Sequence, residues 1–195
     1  AWQDSIPLVV ISGNVNIETL ASSWYENHNI KLRSYGVQEN DIISGISHIT
    51  KYSKLIKRAE DIEKIMSEAF FKAAVGRKGP VWIDVPADVQ QTQIDPKIFK
   101  NIGEFVKVLK RRIQQEQFND FGGVEYSEII DCLRQSKRPL ILIGGGVSND
   151  FKEKKIVNDF ILKHNIPTVA TYAGTNVISH DSSLYLGAIG IKGNR

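Results

Sequence analysis

At 195 residues, with 42% hydrophobic, 24% charged and 9% aromatic residues, the chain has the composition of a folded globular protein, with room for one sizeable core or two small ones. Its net charge of +3 rests on Lys and Arg interleaved with Asp and Glu, which argues against a nucleic-acid partner; the one short basic cluster, Lys107, Lys110, Arg111 and Arg112, reads as a solvated face. A lone Cys132 excludes an intrachain disulfide, no apolar run approaches the roughly 20 residues that span a bilayer, and no export leader is visible at Ala1, so the expectation is a cytoplasmic protein without a membrane partner.

Taken in chain order, Leu8 to Ile11 is a short apolar run without polar alternation, the signature of a buried strand. From Asp61 to Val75, the residues Ile62, Ile65, Met66, Ala69, Phe70 and Ala73 recur at helical spacing and predict an amphipathic helix, ended by Gly76 and Gly79. Pro80 introduces a second strand, Val81 to Val85. Between Gln90 and Gly123, polar residues and a Gly122-Gly123 pair replace the clean alternation and read as an interdomain connection. Helically spaced Ile98, Ile102, Phe105, Val106, Leu109 and Ile113 place a helix inside it. Then follow a helix near Glu125 to Gln135 with Ile129, Ile130 and Leu133 on one side, and a strand from Leu140 to Ile143. A helix near Asp150 to His164 with Ile156, Val157, Phe160 and Ile161, and a strand from Thr168 to Thr171, complete the series. Strand, helix, strand with short connections implies right-handed crossovers and an α/β fold of doubly wound parallel sheets.

Two motifs stand out. The run PLILIGGGVSND is a strand leading into Gly144, Gly145 and Gly146, with Ser148 or Asn149 placed to cap the next helix. Backbone N–H groups there can cradle a phosphate, although Asn149 occupies the last position of the dinucleotide fingerprint, so plain tight-turn chemistry remains an equal reading. In LYLGAIGIKGN, Gly187, Gly190 and Gly193 recur every third residue, a spacing that suits neither helix nor strand and reads as a loop around a flat ligand or an irregular connection. His28, His48, His164 and His180 are scattered without metal-ligand spacing, so no metal site is expected. Ser12 lacks the nucleophile-elbow context and reads as a residue at a strand end. Gln38, Glu39 and Lys51 lie beside apolar positions, where side chains either line a cleft or rest on the surface with their stems packed.

Read together, DSIPLVVISGNV, GVQENDI, ITKYSKLI, EDIEKIMSEAF and GPVWIDVPADVQ resemble the pyrimidine-binding domain of thiamine diphosphate-dependent enzymes of the acetolactate synthase large-subunit type. RPLILIGGGV, NIPTVATYAG and LYLGAIGIKGN resemble the start of that family's central domain. The stretch least like the family is Asn16 to Lys31. The resemblance implies two partial Rossmann-like units in tandem: residues 1–95 as the C-terminal part of the pyrimidine-binding domain, 96–123 as a linker, and 124–195 as the N-terminal part of the central domain.

It also implies the chemistry. In such enzymes the cofactor's thiazolium carbon adds to a 2-keto acid such as pyruvate, carbon dioxide leaves, and the resulting carbanion attacks a second carbonyl. The family's activating glutamate would precede the position of Ala1, and its Gly-Asp-Gly motif for Mg2+ and diphosphate is absent, since no Asp here is followed by Gly. Hence no catalytic residue is expected in this chain, which alone would be inactive. By the same resemblance, Asn14 stands where relatives carry a glutamine near the substrate pocket, and the shorter side chain weakens the match. Gln38 and Lys51 match positions near the pocket entrance, where Lys51 would attract an anionic keto acid. Gly144, Gly145, Gly146, Thr171, Tyr172, Gly187, Ala188 and Gly190 match loops that wrap FAD in some members, whereas Lys192 departs from a histidine often found nearby. A homo-oligomer is implied for the complete enzyme. The residues alone leave two other classes open: a non-catalytic FAD- or ADP-binding module, or an interaction domain that associates through exposed sheet edges.

Overall fold

The computed structural model describes residues 1–98, 102–119, 126–147 and 151–190. Ser148, Asn149, Gly122, Gly123, Lys192 and Gly193, singled out above, lie outside the described residues. The chain forms two compact units, Ala1–Gly122 and Gly123–Arg195.

Unit 1 is built on three parallel strands in the order β1-β3-β2: β1 (Val9–Asn14), β2 (Tyr52–Leu55) and β3 (Val81–Pro86). The β-branched residues of Val9-Val10-Ile11 and Val81 to Val85 suit pleated strands, but only central β3 is largely buried; Leu8 and Ile11 are exposed, which corrects the reading of that run as a buried strand, because β1 lies at the sheet edge. The central strand β3 carries one apolar face, Val81, Ile83 and Val85. Helix α3 (Ile62–Ala74) lays Ile65, Ala69 and Ala73 on that face, and Ile56, Ala59 and Val89 close the core around it. Its other predicted apolar position, Phe70, is 42% exposed, because the buried stripe runs through the small residues Ala69 and Ala73 and turns Phe70 outward.

Helices α1 (Ala21–His28) and α2 (Ile42–Ile46) fall in the segment where apolar spacing gives no helical period. Local capping defines both: Asn29 ends α1 in the left-handed conformation at φ 56°, and the Asp41 carboxylate accepts from Ser44 N at 3.2 Å to start α2. Strand β2 was hidden by Ser53 and Lys54, which edge position tolerates.

After β3, the short helix α4 (Ala87–Gln91) leads into the connection, which is not a bare tether. Helix α5 (Ile102–Asn119) packs along α3, with Arg112 3.7 Å from Glu68 and its guanidinium 4.2 Å above the Phe71 ring. One member of the basic cluster thus has a partner within unit 1.

Unit 2 has its own parallel sheet in the order β4-β5-β6: β4 (Ile141–Ile143), β5 (Thr168–Ala170) and β6 (Tyr185–Ala188). The helix α6 (Ser127–Gln135) precedes it, and α7 (Phe151–His164) crosses from β4 to β5. Ile143, Ile161, Ala170, Val177 and Ile178 form the core. Of the apolar spacing expected in α7, Ile161 is buried and Val157 packs against the core, while Ile156 and Phe160 are exposed. On α6, Ile129, Ile130 and Leu133 are exposed as well. The structure corrects the reading of LYLGAIGIKGN as irregular throughout, since Tyr185–Ala188 is a strand. Its pairing with β5 jumps from Thr168↔Tyr185 to Val169↔Gly187, and Gly187 at φ 114° supplies the conformation this bulge needs. Among the described residues no helix is long and apolar enough to cross a membrane.

Candidate functional site

In parallel α/β sheets, ligands gather outside the carboxyl ends of the strands. At that edge of unit 1, three side chains of one sheet face converge. Ser12 and Asp84 are direct partners in the β1–β3 register, and Asn14 lies two residues farther along β1 on the same face. The Ser12 hydroxyl donates to Asp84 Oδ1 at 2.5 Å, and Asn14 Nδ2 donates to Asp84 Oδ2 at 2.6 Å. The Trp82 indole N–H donates to Ser12 Oγ at 2.8 Å. Asn14 Nδ2 also donates to the Asn40 carbonyl at 3.0 Å, and Asn14 Oδ1 accepts from Val15 N at 2.9 Å. Asp84 is 1% exposed, and a carboxylate so buried requires these partners.

Sequence reasoning passed over Asp84 and took Ser12 for a simple strand end. The available signal was the Asp inside VWIDVP, because a charged residue in an apolar central strand must find donors.

Gln38 is exposed, in a left-handed conformation at φ 67°, on a loop fastened by its neighbour. The Glu39 carboxylate accepts from Ala21 N at 2.6 Å, Tyr35 N at 2.6 Å and Gly36 N at 3.3 Å. Beside this edge a depression of about 340 Å³ is lined by Ile17, Lys57 to Glu60, Asp88, Val89 and Thr92. The charges around it are already matched: Lys57 pairs with Glu26 at 2.6 Å, Arg58 with Glu60 at 3.5 Å, and Asp88 accepts from Ile17 N at 3.2 Å.

Lys51 is not brought to the same place. Its backbone N–H bonds the Pro80 carbonyl before the start of β3, whereas Asn14 pairs with Pro86 at the strand's end. That is roughly 20 Å away along the sheet at about 3.3 Å per residue. Its ammonium donates to the Val75 carbonyl at 2.5 Å, capping the negative end of α3. Burial, followed by the charge of Lys72, lowers its pKa below the ordinary lysine value of 10.5.

The carboxyl edge of unit 2 is made of backbone. Ile143, Ala170 and Ala188 are aligned across β4, β5 and β6, so Gly144 to Gly146, Thr171 with Tyr172, and Ala188 to Gly190 emerge along one edge, with Gly187 beside Val169. The structure therefore gathers all eight residues of the second candidate set. Among the described residues a Cβ added at Gly144, Gly146 or Gly190 would meet nothing within 4 Å, which leaves the backbone there open to an approaching ligand. Tyr172 is 83% exposed above the edge. Gly145 and Gly174 serve packing instead: a Cβ at Gly145 would sit 2.8 Å from Ala173 Cβ, and one at Gly174 would sit 2.5 Å from the Ile143 carbonyl oxygen. Gly174 escaped the sequence reading because the close approach it permits comes from a distant strand. No group of three or more His, Cys, Asp or Glu able to hold a metal occurs among the described residues.

Residues 126–195 match the thiamine pyrophosphate enzyme central domain. Over its whole length the chain is similar to the acetolactate synthase large subunit of Lactococcus lactis, 31% identical across 100% of this chain and 30% of that protein. The chain therefore resembles thiamine pyrophosphate enzymes of the acetolactate synthase type. Among its other relatives are a chloroplastic acetolactate synthase of Arabidopsis thaliana, 30% identical over 99% of this chain and 26% of its own length, and the Escherichia coli isozyme 1 large subunit, 29% identical over 98% and 30%. The chain thus spans under a third of the length of these relatives. The central-domain match contains the whole glycine-built edge of unit 2, and the full-length similarity extends through the Ser12, Asn14 and Asp84 edge of unit 1. These similarities give no support to a free-standing nucleotide-binding module.

Proposed function

We propose that this chain serves in a thiamine diphosphate-dependent 2-keto acid decarboxylase and carboligase of the acetolactate synthase type, acting on pyruvate or a close analogue. The observation that carries the reading is similarity to acetolactate synthase large subunits running through both units without a break. In this reading residues 1–95 are the later part of the pyrimidine-binding domain, 96–123 the connection, and 124–195 the beginning of the central domain. The edge bearing Asn14, with Gln38 on the loop beside it, is a wall of the substrate pocket. Lys51, bonded to the Val75 carbonyl at the far end of the sheet, lies outside this wall. Thiamine diphosphate supplies the carbanion chemistry when bound. In this reading Mg2+ and the diphosphate are held by other parts of the complete enzyme, and the chain by itself is inactive.

FAD fits the carboxyl edge of unit 2 as a bound, structural group. Gly144 and Gly146 offer backbone to a phosphate ahead of α7, with Gly145 between them packed on Ala173; Thr171 and Tyr172 flank the ligand, and Gly187, Ala188 and Gly190 form its other side. The open space at Gly144, Gly146 and Gly190 supports this assignment. The complete enzyme is a cytoplasmic homo-oligomer.

The test is a chimera in which these residues replace the matching segment of the Lactococcus lactis large subunit. The expected result is acetolactate formed from pyruvate, dependent on thiamine diphosphate and Mg2+, with flavin absorbance retained after gel filtration. A folded, cofactor-loaded chimera that makes no acetolactate would refute the assignment.

A further inference from the structure

On the reading of the carboxyl edge of unit 1 as a pocket wall, we propose that Asp84 is a positioning residue that locks the Asn14 amide with both N–H hydrogens engaged, so that Asn14 meets a ligand only as a hydrogen-bond acceptor. An asparagine amide has two hydrogens to donate and two acceptor sites on its oxygen. Here one hydrogen goes to Asp84 Oδ2 at 2.6 Å and the other to the Asn40 carbonyl at 3.0 Å. The oxygen takes Val15 N at 2.9 Å and has one acceptor site left.

The orientation is dictated by these neighbours. Turning the amide over would set its oxygen against a carboxylate and a carbonyl, and its NH2 against the Val15 N–H, so all three contacts would become repulsive. Asp84 cannot yield by rotating. It is 1% exposed, its other oxygen holds Ser12 at 2.5 Å, and Ser12 is held from behind by the Trp82 indole at 2.8 Å. The register Ser12↔Asp84 fixes the two strands that carry the clamp.

The consequence is a rule about ligands. A group that binds Asn14 must bring an O–H or N–H, such as a hydroxyl. A keto oxygen or a carboxylate oxygen finds no donor there, so recognition of those atoms falls to other groups of the pocket.

The experiment is NMR measurement of side-chain amide exchange in the full chain, with the Asn14 signals assigned by their loss in Asn14→Ser. The Asn14 NH2 should exchange at least about tenfold more slowly than that of exposed Asn29, as expected when both hydrogens are held in a fixed hydrogen-bond network. Protection should persist in Ser12→Ala, which leaves the Asn14 to Asp84 bond in place. In Asp84→Ala it should fall to within about twofold of Asn29. An Asn14 amide that exchanges like Asn29 in the unmodified chain overturns the proposal whether or not any variant folds. Undiminished protection in a folded Asp84→Ala chain overturns it too. Because nothing is turned over in this measurement, its failure is distinct from a failure of the acetolactate synthase reading, which the chimera decides.

Discussion

The two units present the same edge of the same kind of sheet, yet they finish it in opposite ways. Unit 1 uses side chains: Ser12, Asn14, Trp82 and Asp84 join one face of β1 and β3 in a hydrogen-bond network that runs to the carboxyl end of the strands. Unit 2 uses backbone: glycines at 144 to 146, 174, 187 and 190 leave space open or let distant strands touch. A network of side chains suits a pocket wall with fixed polarity, because each group is oriented by the next. Bare backbone suits a broad, flat or phosphorylated ligand, because its N–H groups are reachable only where no Cβ intervenes. The vulnerability differs accordingly, since unit 1 is damaged by removing atoms and unit 2 by adding them.

The largest effect expected from this contrast is in unit 2. Gly174→Ala forces a methyl against the Ile143 carbonyl, and the backbone there has no room to retreat; a loss of about 3 kcal/mol or more should be seen by urea unfolding. Gly144→Ala is its counterpart: with no described residue within 4 Å of the new methyl, stability should stay within about 0.5 kcal/mol, while FAD retention by the chimera falls. A strongly destabilised Gly144→Ala would erase the distinction between packing glycines and access glycines. In unit 1, Asp84→Ala strands the Ser12 hydroxyl and one Asn14 hydrogen, at about 2 to 4 kcal/mol for two orphaned donors, again read from urea unfolding. A change below about 0.5 kcal/mol would mean that water replaces the carboxylate freely.

The smallest effect concerns the opposite end of unit 1. The Lys51 pKa is lowered in the folded chain, so between that lowered value and 10.5 the unfolded state binds more protons, and stability rises with pH through this window. Lys51→Met removes that contribution. The stability difference between unmodified chain and variant should therefore shift toward the unmodified chain between pH 8 and pH 10, by less than about 1 kcal/mol for so partly buried a group. A flat difference would show that the ammonium is as well solvated at the end of α3 as in the unfolded chain.

Strands β1, β3, β4 and β5 and helices α3, α6 and α7 were legible from apolar runs and spacing, which mark an element whether or not each of its residues is buried: Ile11, Leu142 and Ile129 are exposed. Strands β2 and β6 were not legible: Tyr52–Leu55 carries Ser and Lys at a sheet edge, and Tyr185–Ala188 hides a bulge at Gly187. Which face a helix buries was also only partly readable, since Phe70, Ile156 and Phe160 obey the spacing yet face outward. For the site, the glycines at 144 to 146, 187 and 190 announced themselves by clustering, whereas Gly174 did not, because what it accommodates is a distant strand. The clamp of unit 1 did not, since a hydrogen bond between residues 12 and 84 is a tertiary fact, and only the oddity of Asp84 within an apolar strand hinted at it.

The fastening of the Gln38 loop bears on how this chain could diverge. Glu39 grips the peptide N–H groups of Ala21, Tyr35 and Gly36, and every amino acid except proline offers that same handle. The course of this loop is therefore set through the main chain: Ala21 and Tyr35 can change side chain without loosening it, whereas Gly36 cannot, since a Cβ there would lie 2.9 Å from the Thr19 carbonyl oxygen.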